Sequence, residues 1–96
     1  MLTLVWSEFG RRAKENGSGG TDHGAAGTGF LIGTRAAGTQ VGEFPGLATG
    51  LDEDGNLKAT ADFRSVYASL LEQWLHFDAS RVIPNASKFA RPQLVK

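Results

Sequence analysis

The clearest hydrophobic pattern lies in the second half of the chain, where it predicts a long amphipathic helix over residues 62–76. Apolar side chains recur there at helical spacing, and they are Phe63, Val66, Tyr67, Leu70, Leu71, Trp74 and Leu75. Ser65, Ser69 and Glu72 fall on the opposite, polar face. A period of about 3.6 residues is typical of a helix that buries one stripe. Asp62 precedes the pattern and is placed to cap the first turn.

Two short apolar runs in the first half predict buried strands. They cover residues 2–6 and 30–32, and each is followed by polar or glycine-rich sequence. Nearly continuous apolar runs of this kind favour the buried strands of a parallel sheet. With the helix, they predict a single partial α/β domain over residues 1–96, built on a short, mainly parallel sheet.

Glycine divides the chain into two halves of different backbone freedom. All 13 glycines lie between Gly10 and Gly55. Residues 10–29 show neither helical nor strand periodicity, which predicts a glycine-rich loop. A structureless loop of about twenty residues is uncommon in a compact domain and is usually either functional or disordered.

The composition narrows the class of protein. The chain has 96 residues, 41% of them hydrophobic and 21% charged, with a formal net charge of zero. A neutral chain is a poor binder of nucleic acid or anionic lipid. Without cysteine, disulfides and thiolate metal sites are excluded. No apolar run approaches the roughly 20 residues that span a bilayer, and no signal peptide is evident, so we expect a cytoplasmic chain as encoded.

Four polar residues are candidates for chemistry. Asp22 and His23 supply the oxygen and nitrogen donors that borderline divalent metals accept. Glu8, at the end of the first predicted strand, could reach the same cation, and Arg11 could hold an anionic substrate. Two plainer interpretations stay open. Asp22 could cap a turn beside an exposed His23, and Glu8 could form a surface ion pair with an arginine.

Two further polar positions favour structural roles. The run at residues 52–56, Asp-Glu-Asp-Gly-Asn, is typical of a tight turn and lacks the ligand spacing of a calcium loop. His76 ends the apolar helix, where a cap is the ordinary role of a histidine.

Four strings of the sequence resemble, in order, the C-terminal part of a large bacterial family. They are Leu-Val-Trp-Ser-Glu-Phe-Gly-Arg-Arg, Asn-Gly-Ser-Gly-Gly-Thr-Asp-His-Gly-Ala-Ala-Gly, Gly-Phe-Leu-Ile-Gly and Ala-Asp-Phe-Arg-Ser-Val-Tyr-Ala-Ser-Leu-Leu-Glu-Gln-Trp-Leu. The family is the domain of unknown function numbered fifteen hundred and one, whose members look like sulfatases of the alkaline phosphatase superfamily. The resemblance covers nearly the whole chain.

The resemblance implies the C-terminal portion of an alkaline-phosphatase-like fold, in which loops at strand ends hold one or two divalent cations such as zinc. It implies that Glu8 and His23, with Asp22, are metal ligands, although the Asp-His pair could instead match the strand-end ligands of the family. Such hydrolases also need a Ser, Thr or Cys nucleophile, and the resemblance assigns none to this chain.

Two functions are therefore expected from the sequence. The first is a fragment of a metal-dependent sulfatase- or phosphatase-like hydrolase that carries part of a metal site and is inactive alone. The second is a small non-catalytic α/β module, or truncated gene product, that self-associates through strand edges as a homo-oligomer.

Overall fold

The computed structural model describes all 96 residues and contains four short strands and one α-helix. In chain order they are β1 (Thr3–Val5), β2 (Gly10–Glu15), β3 (Thr21–Gly24), β4 (Phe30–Ile32) and α1 (Phe63–Gln73). Two single-turn 3₁₀ helices follow, at Ala79–Arg81 and Ala86–Lys88.

The strands form two separate two-stranded sheets, so the expectation of a mainly parallel sheet is wrong. β1 pairs with β4 and β2 pairs with β3, and the strands are antiparallel. Residues 16–20 alone connect β2 to β3. Parallel strands need a crossover of about a dozen or more residues, which this connection is too short to provide. Between β1 and β4 the chain forms the β2–β3 hairpin instead of a crossover helix. The segment 10–29, expected to be a loop, thus contains two strands.

Helix α1 has 11 residues, so the expectation of a long helix over residues 62–76 is also wrong. Its start is where the sequence predicts it, because the Asp62 carboxylate accepts the Arg64 backbone N–H at 2.9 Å. At the other end Phe77 N–H donates to the Leu71 carbonyl at 2.8 Å, and His76 has φ of 53°. This left-handed conformation turns the chain away from the helix axis. His76 therefore ends the helix through its backbone.

The buried face of α1 is the small-residue face. Ser65, Ala68 and Ser69 are 6%, 0% and 0% exposed, whereas Phe63 and Leu75 of the apolar stripe are 59% and 62% exposed. The core cluster comprises Ala68, Ala79, Ile83 and Ala86, with Tyr67, Leu71 and Phe89 packed against it. Small side chains let the following segment of chain approach the helix closely. The apolar stripe is consequently only partly covered.

Gln73, the last residue of α1, holds the C-terminal residues by hydrogen bonds. Gln73 donates to the Pro92 carbonyl at 2.8 Å and accepts the backbone N–H groups of Leu94 at 2.9 Å and Val95 at 3.1 Å. Val95 also forms an antiparallel bridge with Ala36. One glutamine side chain thereby satisfies three backbone groups of the last residues.

Two compact units can be distinguished within the chain. The first comprises residues 1–3, 31–42 and 61–96, and it contains α1 and the core cluster. The second comprises residues 4–30 and 43–60, and it contains the β2–β3 hairpin. A membrane-crossing helix is absent, since α1 is neither long enough nor apolar enough.

Candidate functional site

The sequence-predicted site residues gather on and beside the β2–β3 hairpin. In its register Gly10 lies opposite Gly24, and Arg11 lies opposite His23. A Cβ atom at Gly10 would lie 1.6 Å from the Ala26 carbonyl oxygen, and one at Gly24 would lie 2.7 Å from the Arg11 carbonyl carbon. The glycines of the Phe-Gly-Arg and Asp-His-Gly strings therefore allow the backbones to meet closely.

One face of the hairpin presents three neighbouring side chains, Phe9, Arg11 and His23, which we call the Phe9 face. The Phe9 and His23 rings are stacked with centroids 3.8 Å apart and planes 25° apart. The Arg11 guanidinium lies 5.4 Å from the Phe9 centroid and donates to the Thr21 carbonyl at 2.8 Å. The structure thus brings Arg11 and His23, two of the predicted residues, onto one aromatic ring.

Arg11 keeps most of its hydrogen-bonding capacity. A guanidinium has five N–H donors in a planar fork, and the Thr21 carbonyl is its one hydrogen-bond acceptor in the protein. Arg11 and His23 are both exposed. The remaining donors can meet the oxygens of a sulfate or phosphate group arriving from solvent.

Glu8 and Asp22 have different surroundings. Glu8 is exposed in the bend before β2, and it forms no ion pair with either neighbouring arginine. Asp22 accepts a hydrogen bond from the Asn16 side-chain amide at 3.1 Å. Successive residues of a strand face opposite sides, so Asp22 and His23 point away from one another.

The donor set does not make a complete metal site. The structure contains no group of three or more His, Asp and Glu side chains that could hold an ion. Glu8 and His23 offer suitable donors, but Asp22 is turned to the other side of β3. The assignment of all three as ligands of one cation stays a prediction.

Arg12, next to Arg11, has a structural role. Its terminal nitrogen lies 2.8 Å from the position of a Cβ atom at Gly55, which has φ of 79°. Asp52 accepts the backbone N–H groups of Asp54 at 2.9 Å and Asn56 at 2.8 Å. The bond from Asn56 lowers the pKa of Asp52, and the charge of Arg12 adds to this effect. Residues 52–56 thus form a turn whose leading carboxylate is already engaged.

An open apolar groove lies in the first unit, and none of the predicted site residues lines it. It has a volume of about 380 Å³ and is lined by Tyr67, Leu70, Leu71, Leu75, Val82 and Ile83. These side chains come from α1, from Leu75 just beyond its end, and from the residues after the first 3₁₀ helix. Five of its six lining residues are aliphatic.

Sequence reasoning missed the roles of Phe9 and Asn16. Phe9 is half-buried, stacks on His23 and lies beside the Arg11 guanidinium. Asn16 precedes a glycine, and an Asn-Gly pair between extended segments is a strong turn signal. That signal was available in the sequence, but the stacking of Phe9 was not.

Comparison with known proteins identifies one family. No curated protein and no solved structure gave a significant match. The family described as "Protein of unknown function (DUF1501)" matches residues 1–86, which include the whole hairpin and α1. The chain therefore belongs to this family.

Proposed function

We propose that the chain is the C-terminal part of a sulfatase- or phosphatase-like hydrolase and that its Phe9 face binds the anionic group of an ester substrate. The observation that carries the proposal is the placement of Arg11 directly opposite His23, with the Phe9 ring against both. A fixed guanidinium beside an imidazole suits a tetrahedral oxyanion, because both groups can donate to its oxygens.

The aromatic ring supports this role by limiting motion. A flexible arginine loses side-chain entropy when it binds a ligand. Contact with Phe9 and the bond to Thr21 restrain Arg11 before the ligand arrives. Preorganisation of this kind raises affinity without adding a contact.

A divalent cation is part of the proposal in a limited sense. Glu8 and His23 would be its ligands from this chain, and a bound cation would supply positive charge to polarise the ester group. The remaining ligands and the nucleophile would come from outside residues 1–96. We therefore expect the chain alone to hydrolyse neither aryl sulfates nor aryl phosphates.

Calorimetric titration of the chain with inorganic phosphate tests the proposal. We expect weak binding that Arg11→Ala reduces by about tenfold, since charge-assisted hydrogen bonds are worth roughly 1.5–3 kcal/mol. Lys14→Ala is the matched control, because it removes an exposed positive charge from the same strand. Equal losses in the two variants would reduce the effect to general charge and contradict the proposal.

A titration with Zn²⁺ tests the cation separately. We expect His23→Ala to weaken zinc binding, whereas His76→Ala, at the end of α1, should leave it unchanged. Equal affinity of the wild type and His23→Ala would refute the ligand role of His23. Metal-dependent ester hydrolysis by the 96-residue chain would refute the assignment of a partial site.

A non-catalytic, self-associating module is the second candidate, and one observation favours it. Val5, Trp6, Phe30 and Ile32, on or next to β1 and β4, are 47%, 52%, 63% and 59% exposed. Exposed apolar strands are templates for pairing with another chain. This function predicts oligomers without any affinity for phosphate or zinc.

A further inference from the structure

Asn16 is the most highly connected side chain of the hairpin. Its side-chain oxygen accepts the backbone N–H groups of Ser18 at 2.9 Å and Gly20 at 3.1 Å. Its backbone N–H donates to the Gly20 carbonyl at 2.8 Å. The side-chain amide then donates to Asp22 at 3.1 Å. A single residue therefore closes the connection between β2 and β3 and reaches into β3.

The bond from Asn16 to Asp22 lies where the strand pairing is irregular. Arg11 pairs with His23 and Glu15 pairs with Thr21, with a register shift between these two pairs. Three residues of β2 thus face the single residue Asp22 of β3. Pairing across a bulge is disrupted, and a slip of one residue moves every side chain to the other face. Backbone pairs hold the strands on both sides of the irregularity, and the side-chain bond from Asn16 to Asp22 is the contact placed within it.

We propose that Asn16 and Asp22 form a positioning pair that fixes the hairpin register and so holds His23 opposite Arg11, and that Asp22 is not itself a ligand. The carboxylate of Asp22 receives the Asn16 amide on one side of β3, and His23 meets Phe9 on the other. The functional consequence, a stable Phe9 face, rests on the proposed function.

Reciprocal exchange of the two side chains separates positioning from ligation. Asn16→Asp replaces the amide with a second carboxylate. Repulsion between the carboxylates at positions 16 and 22 should then separate the two side chains. The double variant, Asn16→Asp with Asp22→Asn, restores one amide and one carboxylate in exchanged positions. If Asp22 acts by positioning, the exchange restores its function, whereas a ligand carboxylate at position 22 would be lost.

Two measurements compare the wild type with the single and double variants. Nuclear Overhauser contacts between the Phe9 and His23 rings report the Phe9 face, and titration with inorganic phosphate reports its use. We expect Asn16→Asp to weaken the contacts between the two rings. Phosphate affinity should fall by about tenfold, because the variant loses the hydrogen bond to the charged Asp22 carboxylate and such a bond is typically worth about this factor. The double variant should recover to within about threefold of the wild type.

The results decide between the two roles. Unchanged ring contacts in Asn16→Asp, or a double variant no better than Asn16→Asp, would overturn the positioning pair. A Zn²⁺ titration adds a direct test, because loss of zinc binding in the double variant with its ring contacts intact would make Asp22 a ligand. If the wild type binds no phosphate, the proposed function fails, but the ring contacts still decide the positioning role.

Discussion

At the scale of the residue, Gly10 has the least freedom to change. Its backbone passes so close to the Ala26 carbonyl that a Cβ atom would lie 1.6 Å from the oxygen. The obstacle is backbone, which a rotamer change cannot move aside. Gly10 directly precedes Arg11 in the sequence. Strain at Gly10 would therefore displace Arg11 and disturb the Phe9 face.

We predict that Gly10→Ala destabilises the hairpin by at least about 1–3 kcal/mol, the cost of inserting an atom into a well-packed position. Gly17→Ala is the control, because a Cβ atom there has no neighbour within 4 Å and its effect should stay within about 0.5 kcal/mol. Hydrogen exchange of the β2 and β3 amides measures both. Similar protection in the two variants would show that the hairpin backbone shifts readily.

Asp62 stabilises the start of α1 in a way that depends on its charge. Hydrogen bonds from the Arg64 side chain and backbone lower the pKa of Asp62 from 3.8 to about 2. A lowered pKa means that the folded state favours the carboxylate. Its contribution to stability is therefore complete above pH 3.8 and is lost as the pH falls through about 2.

We predict that the wild type loses more stability between pH 5 and pH 2 than Asp62→Asn does. Asparagine caps a helix about as well as aspartate but has no charge to titrate. Thermal unfolding followed by circular dichroism gives both curves, and the other carboxylates titrate in each protein. Parallel curves would mean that the ion pair with Arg64 contributes nothing to folding.

Residue identity alone selects Arg11 and His23 for their chemistry. The structure places them opposite one another in the hairpin, while their roles in binding stay predictions. Adjacency in sequence predicts that Asp22 and His23 act together, whereas a strand separates neighbours onto opposite faces. The separation can be inferred only if residues 21–24 are known to form a strand. The glycine-rich sequence around them has no strand periodicity, so the sequence does not predict that strand.

At the scale of the element, α1 shows which parts of a helix a pattern can predict. The spacing of apolar residues and the position of Asp62 located the helix and its start. The buried face was predicted wrongly, because Ser65 and Ser69 count as polar although their small size suits close packing. The early end depends on the left-handed His76, and no periodicity reports a backbone dihedral angle.

Hydrogen bonds from Arg91 and Gln73 join residues 86–95 to one another and to α1. Arg91 donates to Glu72 at 2.7 Å and to the carbonyls of Ala86 at 2.8 Å and Phe89 at 2.6 Å. The bond from Arg91 lowers the pKa of Glu72. Gln73 adds its three bonds to the last residues. The family match ends at residue 86, so these bonds also hold chain beyond the matched region.

We predict that Gln73→Leu lowers the free energy of unfolding by about 1–3 kcal/mol, because three partly buried backbone groups lose their partner. Gln40→Leu, at an exposed position, is the control for the change in side-chain polarity. Urea denaturation measures the loss, and amide exchange at Leu94 and Val95 locates it. Unchanged exchange at these two amides would disprove the role of Gln73.

At the scale of the whole molecule, the chain has more large apolar side chains on its surface than in its core. The buried hydrophobic residues are Ala68, Ala79, Ile83, Ala86 and Val95, three of them alanines. The exposed large hydrophobic residues number twelve, with phenylalanine at positions 30, 44, 63 and 77 among them. Small cores give marginal stability, and exposed apolar surface favours association.

We predict that the chain self-associates and that the contact involves β4. Phe30, in β4, and Phe44, outside the strands, are 63% and 65% exposed, so they form a matched pair. A lysine on an edge strand opposes pairing of that strand with another chain. A lysine outside the strands only reduces the apolar area of the surface. Phe30→Lys should therefore shift the chain toward monomer in light scattering, and Phe44→Lys should not. Equal shifts would indicate nonspecific association of apolar surface, and a wild type that stays monomeric at high concentration would exclude self-association altogether.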